Sequence, residues 1–282
     1  MLIAHGAAFL LIAYLPRTGI AMLGIAAADP AVLERYVGAL DIPRSYPEAI
    51  ARLLSLDFGR TLDGAPVAAA LGTALLHTLP LLTLSLALVA GVIALTLFRP
   101  RLFSGETIRS TLEFITFLPA FLPAFLLFAL AVAVGVTAVF GQSWAAVLIL
   151  GGTASLSPAA MAAAIILNGF RIERGQRYVQ FLRACGAGEA DIDRNLRRAV
   201  FLYSVSSWEK LFTLQIAIIL FTETVFSYPG FGSLLVQALQ RTDVNVLLAT
   251  VAGLSLAVAV IRFAGNLAFL ALEPRDDAAI LR

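Results

Sequence analysis

Residue types that support catalysis or metal binding are scarce in this chain of 282 residues, and none forms a catalytic pattern. His5 and His77 are the only histidines, and neither has a second ligand at the spacing of a metal site. Lys210 is the single lysine and no Gly-x-x-x-x-Gly-Lys-Ser/Thr run occurs, so the chain has no P-loop for ATP hydrolysis. A Gly-x-Ser-x-Gly nucleophile elbow is also missing. We therefore predict no catalytic, cofactor-binding or metal-binding residue, and an interfacial or packing role for His77.

The composition is that of a membrane protein. Hydrophobic residues make up 60% of the chain, charged residues only 13%, and the mean hydropathy is +0.91. A bilayer core of about 30 Å needs roughly 20 apolar residues per helix. Segments of that length and character are 1–28, 71–98, 112–140, 144–168, 204–226 and 246–272. The sequence therefore predicts an all-α membrane protein with about six transmembrane helices.

The first of these segments contains a charge, Arg17, directly after Pro16. A central arginine costs about 2.5 to 3.5 kcal/mol on insertion scales, so it is expected to face protein or to reach the interface. A cleaved signal peptide ending at Ala26-Ala27-Ala28 is the alternative. It is disfavoured because no Lys or Arg precedes the apolar stretch and Arg17 would lie inside it.

The distribution of arginines predicts the orientation of the chain in the membrane. Loop 99–109 carries three arginines and loop 171–200 carries seven, so both are expected on the cytoplasmic side. On the opposite side, 141–143 is uncharged and 227–245 has a single arginine. Segment 29–70 has four arginines against six acidic residues, which suits the outside. Both termini are then cytoplasmic.

Charge and cysteine content exclude two further classes of interaction. The formal net charge of +2 follows from the loop asymmetry and not from a basic face, so nucleic-acid binding is not indicated. Cys185 is the only cysteine, which rules out a disulfide within the chain.

Helix-breaking residues interrupt several of the predicted spans. They are Pro80, Pro119, Pro123, Gly151-Gly152 and Pro158. Such breaks are tolerated where neighbouring helices or a cavity satisfy the freed backbone groups, as in transporters. Because proline and glycine are common in membrane helices generally, an ordinary structural role is equally open.

The long cytoplasmic loop is predicted to fold into two short helices. Residues 178–185 suit one helix, and the glycines of Gly186-Ala187-Gly188 suit a left-handed stop. A second helix is expected from about Asp191, with acids at its start and arginines farther along, in line with the helix dipole. A helix, a sharp turn and a helix returning to the bilayer form a rigid knob for a soluble partner.

One run in this loop resembles a family motif. Tyr178-Val179-Gln180-Phe181-Leu182-Arg183-Ala184-Cys185-Gly186 is similar to the EAA loop of permeases from binding-protein-dependent ABC importers. In the oligopeptide, dipeptide and nickel branch this loop reads like Tyr-Val-Arg-Thr-Ala-Arg-Ala-Lys-Gly. Phe181 and Leu182 replace small residues, and the Leu-Pro that usually closes the motif is missing. The resemblance implies ATPase-coupling roles for Gln180, Leu182, Arg183, Ala184, Gly186 and Glu189.

A second run, 223–232, resembles the family's Glu-Thr-Val-Phe-Ser-Trp-Pro-Gly-Leu-Gly almost residue for residue. In the family this run is a periplasmic loop that faces the binding protein and closes the pathway. The residues that the resemblance assigns to this gate or contact are Glu223, Phe226, Tyr228, Pro229, Gly230, Phe231 and Gly232. Pro229, Gly230 and Gly232 suit an ordered bend. For Glu223 a second role is open, that of capping the loop through backbone N–H groups.

Further landmarks follow the family's order. Leu272-Glu273-Pro274-Arg275 resembles the terminal Leu-Asp-Pro-Arg, while Ala28-Asp29-Pro30 and Leu56-Asp57-Phe58-Gly59-Arg60 resemble Gly-Asp-Pro and Gly-Asp-Leu-Gly. The chain thus resembles a B-type permease of the peptide/nickel ABC importers. The implied organisation is a first transmembrane helix 1–28, a periplasmic segment 29–70, a five-helix core 71–272 containing the coupling loop 169–203, and a cytoplasmic tail 273–282.

The resemblance also implies partners and a mechanism. The implied complex is a type I importer in the bacterial inner membrane, where this subunit pairs with a homologous second permease and contacts membrane lipid. Its other partners would be two ATPase subunits that bind ATP and Mg, and an extracytoplasmic substrate-binding protein. Peptides or a related small solute would cross by alternating access, and nickel chelates or opines are alternatives within the family. A self-contained secondary transporter or channel would need inverted repeats or a row of intramembrane ionisable residues. A membrane-embedded enzyme would need a group of catalytic residues. None of these features is visible. Glu209 and Lys210 are expected to pair with other helices, and a cytoplasmic gate is the alternative role for them.

Overall fold

The computed structural model describes residues 46–103, 105–119, 121–135, 143–205, 207–241 and 243–272. Within these ranges the regular secondary structure is helical, apart from an isolated bridge between Arg60 and Pro66. The helices are α1 (Tyr46–Leu54), α2 (Val67–Phe98), α3 (Glu106–Phe117), α4 (Leu122–Val134), α5 (Trp144–Arg174), α6 (Arg177–Ala184), α7 (Glu189–Val205), α8 (Trp208–Val225), α9 (Phe231–Arg241) and α10 (Val244–Leu272). The predicted all-α fold class is confirmed. The proposed first span 1–28 with Arg17, and the tail 273–282, lie outside the described residues.

In the described part of the chain, three helices are long and apolar enough to cross a membrane. They are α2, α5 and α10, and α7 with α8 gives a fourth span if the bent pair is counted as one. The predicted spans 71–98, 144–168 and 246–272 therefore correspond to single helices. Pro80 and Pro158 lie inside α2 and α5, and neither ends its helix.

The expectation of one helix over 112–140 is wrong, because the structure has two helices there. α3 ends at Phe117, and Leu118 is extended with ψ 145° before Pro119. A proline disfavours the helical conformation in the residue before it, which explains the break. Pro123 then occupies the first turn of α4, where a missing N–H costs nothing.

The predicted start of the next span at Ser204 is also wrong. Ser204 belongs to α7, where its hydroxyl donates to the Val200 carbonyl at 2.7 Å. α8 begins at Trp208, after a bend of 55°. α7 and α8 are therefore two helices joined by a bend, and not one helix that begins at Ser204.

The described residues form two compact units, each with its own core. In the unit of 46–80 and 223–259, a buried cluster contains Val67, Ala238, Val244, Val246, Leu247, Leu248 and Ala249. In the unit of 81–135, 143–222 and 260–272, the larger cluster contains Leu97, Ile166, Phe170, Val179, Ile192, Leu196 and Val200. Within this second unit α5 approaches α2 closely at Gly151, where a Cβ would lie 3.0 Å from the Leu84 side chain.

Candidate functional site

The turn between α6 and α7 has the form expected of a glycine-ended helix. Gly186 has φ 79°, the left-handed conformation that glycine adopts without strain. The N–H of Ala187 donates to the Leu182 carbonyl at 3.0 Å, and that of Gly186 to the Arg183 carbonyl at 3.0 Å. These bonds satisfy the free carbonyls at the end of α6. Gly188 does not adopt positive φ; its carbonyl accepts from Asp191 at 3.0 Å and opens α7.

The inner side of this knob, defined as residues 177–205, is held by apolar packing. Val179 of α6 is fully buried in the same cluster as Ile192 and Leu196 of α7 and Phe170 of α5. Leu182 is partly buried and packs against this cluster. Because burying a side chain of this size contributes about 1.5 to 3 kcal/mol, the knob is fixed to the membrane helix that precedes it.

A hydrogen bond joins the end of α5 to the start of α6. The Tyr178 hydroxyl donates to the Glu173 carboxylate at 2.9 Å. Burial raises the pKa of Tyr178 to about 12, and both the hydrogen bond to Glu173 and the negative charge of that carboxylate add to the increase. The phenol therefore stays protonated at physiological pH, and the bond persists.

The outer side of the knob carries most of the predicted coupling residues. Gln180, Arg183, Ala184, Gly186 and Glu189 are all exposed. Arg183 Nε lies 3.4 Å from a Glu189 carboxylate oxygen, so this pair spans the turn. An exposed pair of this kind contributes little to stability and leaves both groups available to a partner. Leu182 differs from the other predicted residues, since it faces the supporting core.

The second predicted region is organised around Glu223, which is fully buried near the end of α8. The Thr78 hydroxyl donates to Glu223 Oε1 at 2.6 Å, and the Gly232 N–H donates to Oε2 at 2.7 Å. The Thr78 oxygen in turn accepts from the Phe231 N–H at 3.0 Å. The first two N–H groups of α9, which have no partner within the helix, are thus satisfied by side chains from two other helices. The carboxylate also lies at the positive end of the α9 dipole. These contacts match the capping role considered for Glu223.

Position 230 requires glycine because the Glu223 side chain approaches its Cα closely, and not because of its backbone angles. A Cβ built on Gly230 would overlap the Glu223 carboxylate, whereas neither Gly230 nor Gly232 adopts positive φ. The left-handed residue in the bend is Ser227, with φ 52°. Residues 226–230 form turns as expected, and space for the carboxylate is the physical reason for Gly230.

The remaining residues of this run pack inward. The N–H of Tyr228 donates to the Glu223 carbonyl at 2.8 Å, which ends α8. Phe226 and Tyr228 are 1% and 3% exposed, and Pro229 and Phe231 are partly buried. The ring of Tyr228 lies edge-on to His77 with centroids 6.1 Å apart. Gly232 is buried, and Ser227 is the exposed residue of the bend.

Sequence reasoning missed a second capping cluster at the start of α10. Asp243 accepts from the Leu62 N–H at 2.9 Å and from the Val246 N–H at 3.3 Å, and the Asn245 amide donates to the Arg60 carbonyl at 2.9 Å. These bonds tie the segment before α2 to the last helix. The available signal was an aspartate directly before an apolar run, which is typical of an N-cap.

Glu209 has the interhelical partner that its position suggests. Its carboxylate lies 2.8 Å from Nε of Arg262 in α10, and both side chains are about half exposed. Ionisable groups on apolar membrane helices usually face protein or water, not lipid. This pair joins the start of α8 to α10 through their charged groups.

The comparison with known families decides the class. Residues 87–276, well over half of the chain, match the family described as binding-protein-dependent transport system inner membrane component. The chain belongs to this family. The match begins within α2 and includes the knob, the Glu223 region and α10. No curated protein gives a significant match.

Membership of the binding-protein-dependent transport family establishes several of the expectations. The chain is the transmembrane permease component of an ABC importer, a multi-pass membrane protein that carries no ATPase site of its own. Its all-α architecture is consistent with a type I importer domain. Members work in a complex with a partner permease, ATPases and a binding protein. This excludes a self-contained secondary transporter or channel.

Proposed function

We propose that this permease is the B-type subunit of an importer in the oligopeptide, dipeptide and nickel branch, and that it moves peptides or a related small solute. The runs 178–186 and 223–232 support the branch, because both resemble its motifs and occur in its order. Nickel chelates and opines are the alternative cargoes within that branch. The shortage of histidines disfavours a bare metal ion held by the spans.

The observation that carries the coupling mechanism is the two-sided knob. Its inner side is anchored through Val179 and Ile192, and its outer side presents Gln180, Arg183 and Glu189 beside the Gly186 turn. Because the inner side of the knob is packed against the membrane helices, a displacement of its polar outer side would also move the helices that support it. We assign this surface to ATPase docking, with Ala184 in the contact and Leu182 supporting it from the core.

Force applied to the knob has a direct route to the membrane. α7 leads into α8 through the 55° bend, and α6 follows α5 after a short connection. Closure of the ATPase dimer around ATP and Mg, which those subunits bind, would move α7 and shift α8 between inward-facing and outward-facing arrangements. This chain contributes no group to the hydrolysis itself.

The Glu223 region is assigned to the outer gate. Thr78 and Glu223 together hold the start of α9, so any displacement of α8 acts on the loop 226–230 as well. The burial of Phe226 and Tyr228 supports a role in shaping the gate, and Ser227, Pro229 and Phe231 remain more accessible to a binding protein. The arginine distribution supports a cytoplasmic knob, a periplasmic loop 226–230 and cytoplasmic termini in the bacterial inner membrane.

Reconstitution tests this function. The chain is co-expressed with the second permease, the two ATPases and the binding protein encoded with it, and the complex is placed in proteoliposomes. We expect ATP-dependent, binding-protein-dependent uptake of labelled peptides, with ADP as the control. Mass spectrometry of the ligand retained by the binding protein identifies the cargo. A nickel chelate or an opine in that position would replace the peptide assignment, and failure of the ATPases to co-purify would contradict the coupling role.

A further inference from the structure

A groove between α2, α7 and α8 ends at two arginines. Its volume is about 480 Å³. The walls are apolar and include Leu86, Val89 and Ile93 of α2 and Trp208, Leu211 and Phe212 of α8. Nothing in the proposed transport function uses this groove.

The direction of the groove follows from the packing at its two ends. Leu97 shares a buried cluster with Leu196 and Val200, so the Phe98 end of α2 lies beside Arg197 and Arg198. At the other end the Gln215 amide donates to the Ser85 hydroxyl and to the Ala154 carbonyl, and this end has no charged lining residue among those described.

The length of the groove matches one leaflet of a bilayer. The lining residues of α2 extend from Leu86 to Phe98, which corresponds to about 18 Å at a rise of about 1.5 Å per residue. Half of a hydrocarbon core of about 30 Å is about 15 Å. A single acyl chain therefore fits along the groove, with its headgroup at the arginine end.

The charge at that end is positive and uncompensated by the lining. Arg197 is half-buried and Arg198 is exposed, and none of the described residues lining the groove is acidic. On the same helix, Asp191 lies 3.7 Å from Arg194 instead. Basic pockets between membrane helices on the cytoplasmic side are suited to anionic headgroups.

We propose that this groove binds one anionic phospholipid, with an acyl chain between α2 and α8 and the phosphate held by Arg197 and Arg198. Between the arginines and Gln215, whose Oε1 has no hydrogen-bond partner among the described residues, the wall consists of apolar side chains and the Trp208 ring, which favours an acyl chain over a polar solute. The bound lipid joins α2 to the bend between α7 and α8, the segment through which the knob reaches the membrane.

Native mass spectrometry of the delipidated full-length chain tests the site, with phosphatidylglycerol and phosphatidylcholine of the same acyl composition as probes. We expect tighter binding of phosphatidylglycerol. Arg197→Gln and Arg198→Gln should each weaken it roughly fivefold, the effect expected of one basic residue near an anionic headgroup, and should leave phosphatidylcholine unchanged. Arg194→Gln, on the same helix but outside the groove, is the matched control and should bind like the wild type.

A groove-filling pair tests the acyl chain separately. Ala90 and Ala87 are both exposed on α2, and only Ala90 lines the groove. Ala90→Trp should abolish tight binding of phosphatidylglycerol, while Ala87→Trp should not. If Ala90→Trp does not fold, the arginine variants still decide the question.

Four results would overturn the proposal. Equal binding of both lipids, or an equal loss in Arg194→Gln, would show that Arg197 and Arg198 hold no headgroup. If inorganic phosphate alone protected the chain from heat as well as phosphatidylglycerol does, the site would be an anion site that binds no acyl chain. Cross-linking of Ala94→Cys to residues 1–28 or to the second permease in the assembled importer would assign the groove to helix packing.

Discussion

The Glu223 carboxylate accepts a hydrogen bond from the Thr78 hydroxyl at 2.6 Å, across 145 positions in the sequence. Both groups also receive an N–H from the first turn of α9. The two side chains therefore act as one cap, and removing either leaves buried polar groups without a partner.

A double-mutant cycle tests this cap. Thr78→Val and Glu223→Gln should each lower the free energy of unfolding by about 1 to 3 kcal/mol, because each removes a partner from a buried donor or acceptor. The double variant should lose less than the sum of the two, with a coupling of about 0.5 to 3 kcal/mol, measured by denaturant unfolding in detergent. Thr73→Val is the control, since that hydroxyl bonds to the carbonyls of its own helix. Additive losses would show that the two side chains act independently.

Gly230 should tolerate no side chain while Glu223 is present. Gly230→Ala places a methyl group on the carboxylate, so the unfolding midpoint should fall and binding-protein stimulation of the ATPase should decrease. Gly253→Ala, where the nearest heavy atom is 3.7 Å away, should leave both unchanged. The double variant Glu223→Ala/Gly230→Ala, which has no acid at position 223, should lose less free energy of unfolding than the two single variants added together. A Gly230→Ala protein with wild-type stability would refute the close approach.

The Gly186 turn should depend on the left-handed conformation. A left-handed angle costs an ordinary residue roughly 1 to 2 kcal/mol, and asparagine tolerates it better. Gly186→Val should therefore weaken ATPase binding and uptake without preventing membrane insertion, while Gly186→Asn should retain most of both. Uptake and co-purification of the ATPases report the outcome. Equal activity of the valine and asparagine variants would remove the turn from the coupling mechanism.

The proposed orientation predicts labelling from opposite sides. In intact cells an impermeant maleimide should reach Gln240→Cys in a Cys185→Ala background, because Gln240 is exposed and expected outside. Cys185 in the wild-type chain should react only after the cytoplasmic face is opened. Reaction of both cysteines from the same side would contradict the topology.

The helices of the knob could be predicted from the sequence because their signals are local. A polar segment that ends at Gly186, and acids ahead of arginines in the next helix, indicate a stop and a start within a few residues of each other. The structure has helices at Arg177–Ala184 and Glu189–Val205, close to those expectations. The motif resemblance implies a coupling role for Leu182, and the structure adds that its apolar side chain packs against the core.

The Glu223 cap could not be predicted in full because its partner is distant. An intramembrane carboxylate requires donors, but nothing near position 223 indicates that Thr78 supplies one. The break between α3 and α4 was indicated locally by the helix-breaking residues Pro119 and Pro123, whereas hydropathy alone predicts one helix. Hydropathy over 112–140 is continuous, and the conformational effect of Pro119 overrides it.

The accessibility of Cys185 tests the central claim most directly, since this exposed thiol lies at the end of α6 within the proposed docking surface. Its maleimide reaction rate is measured in the isolated permease and in the complete importer. A cysteine at Ser110 in a Cys185→Ala background, exposed in α3 and not part of the proposed docking surface, serves as the control. We predict that assembly with the ATPases protects Cys185 at least tenfold, an order-of-magnitude expectation for a residue buried in an interface, and leaves the Ser110→Cys rate unchanged. An unchanged Cys185 rate in a complex that hydrolyses ATP and transports solute would show that the ATPases dock elsewhere.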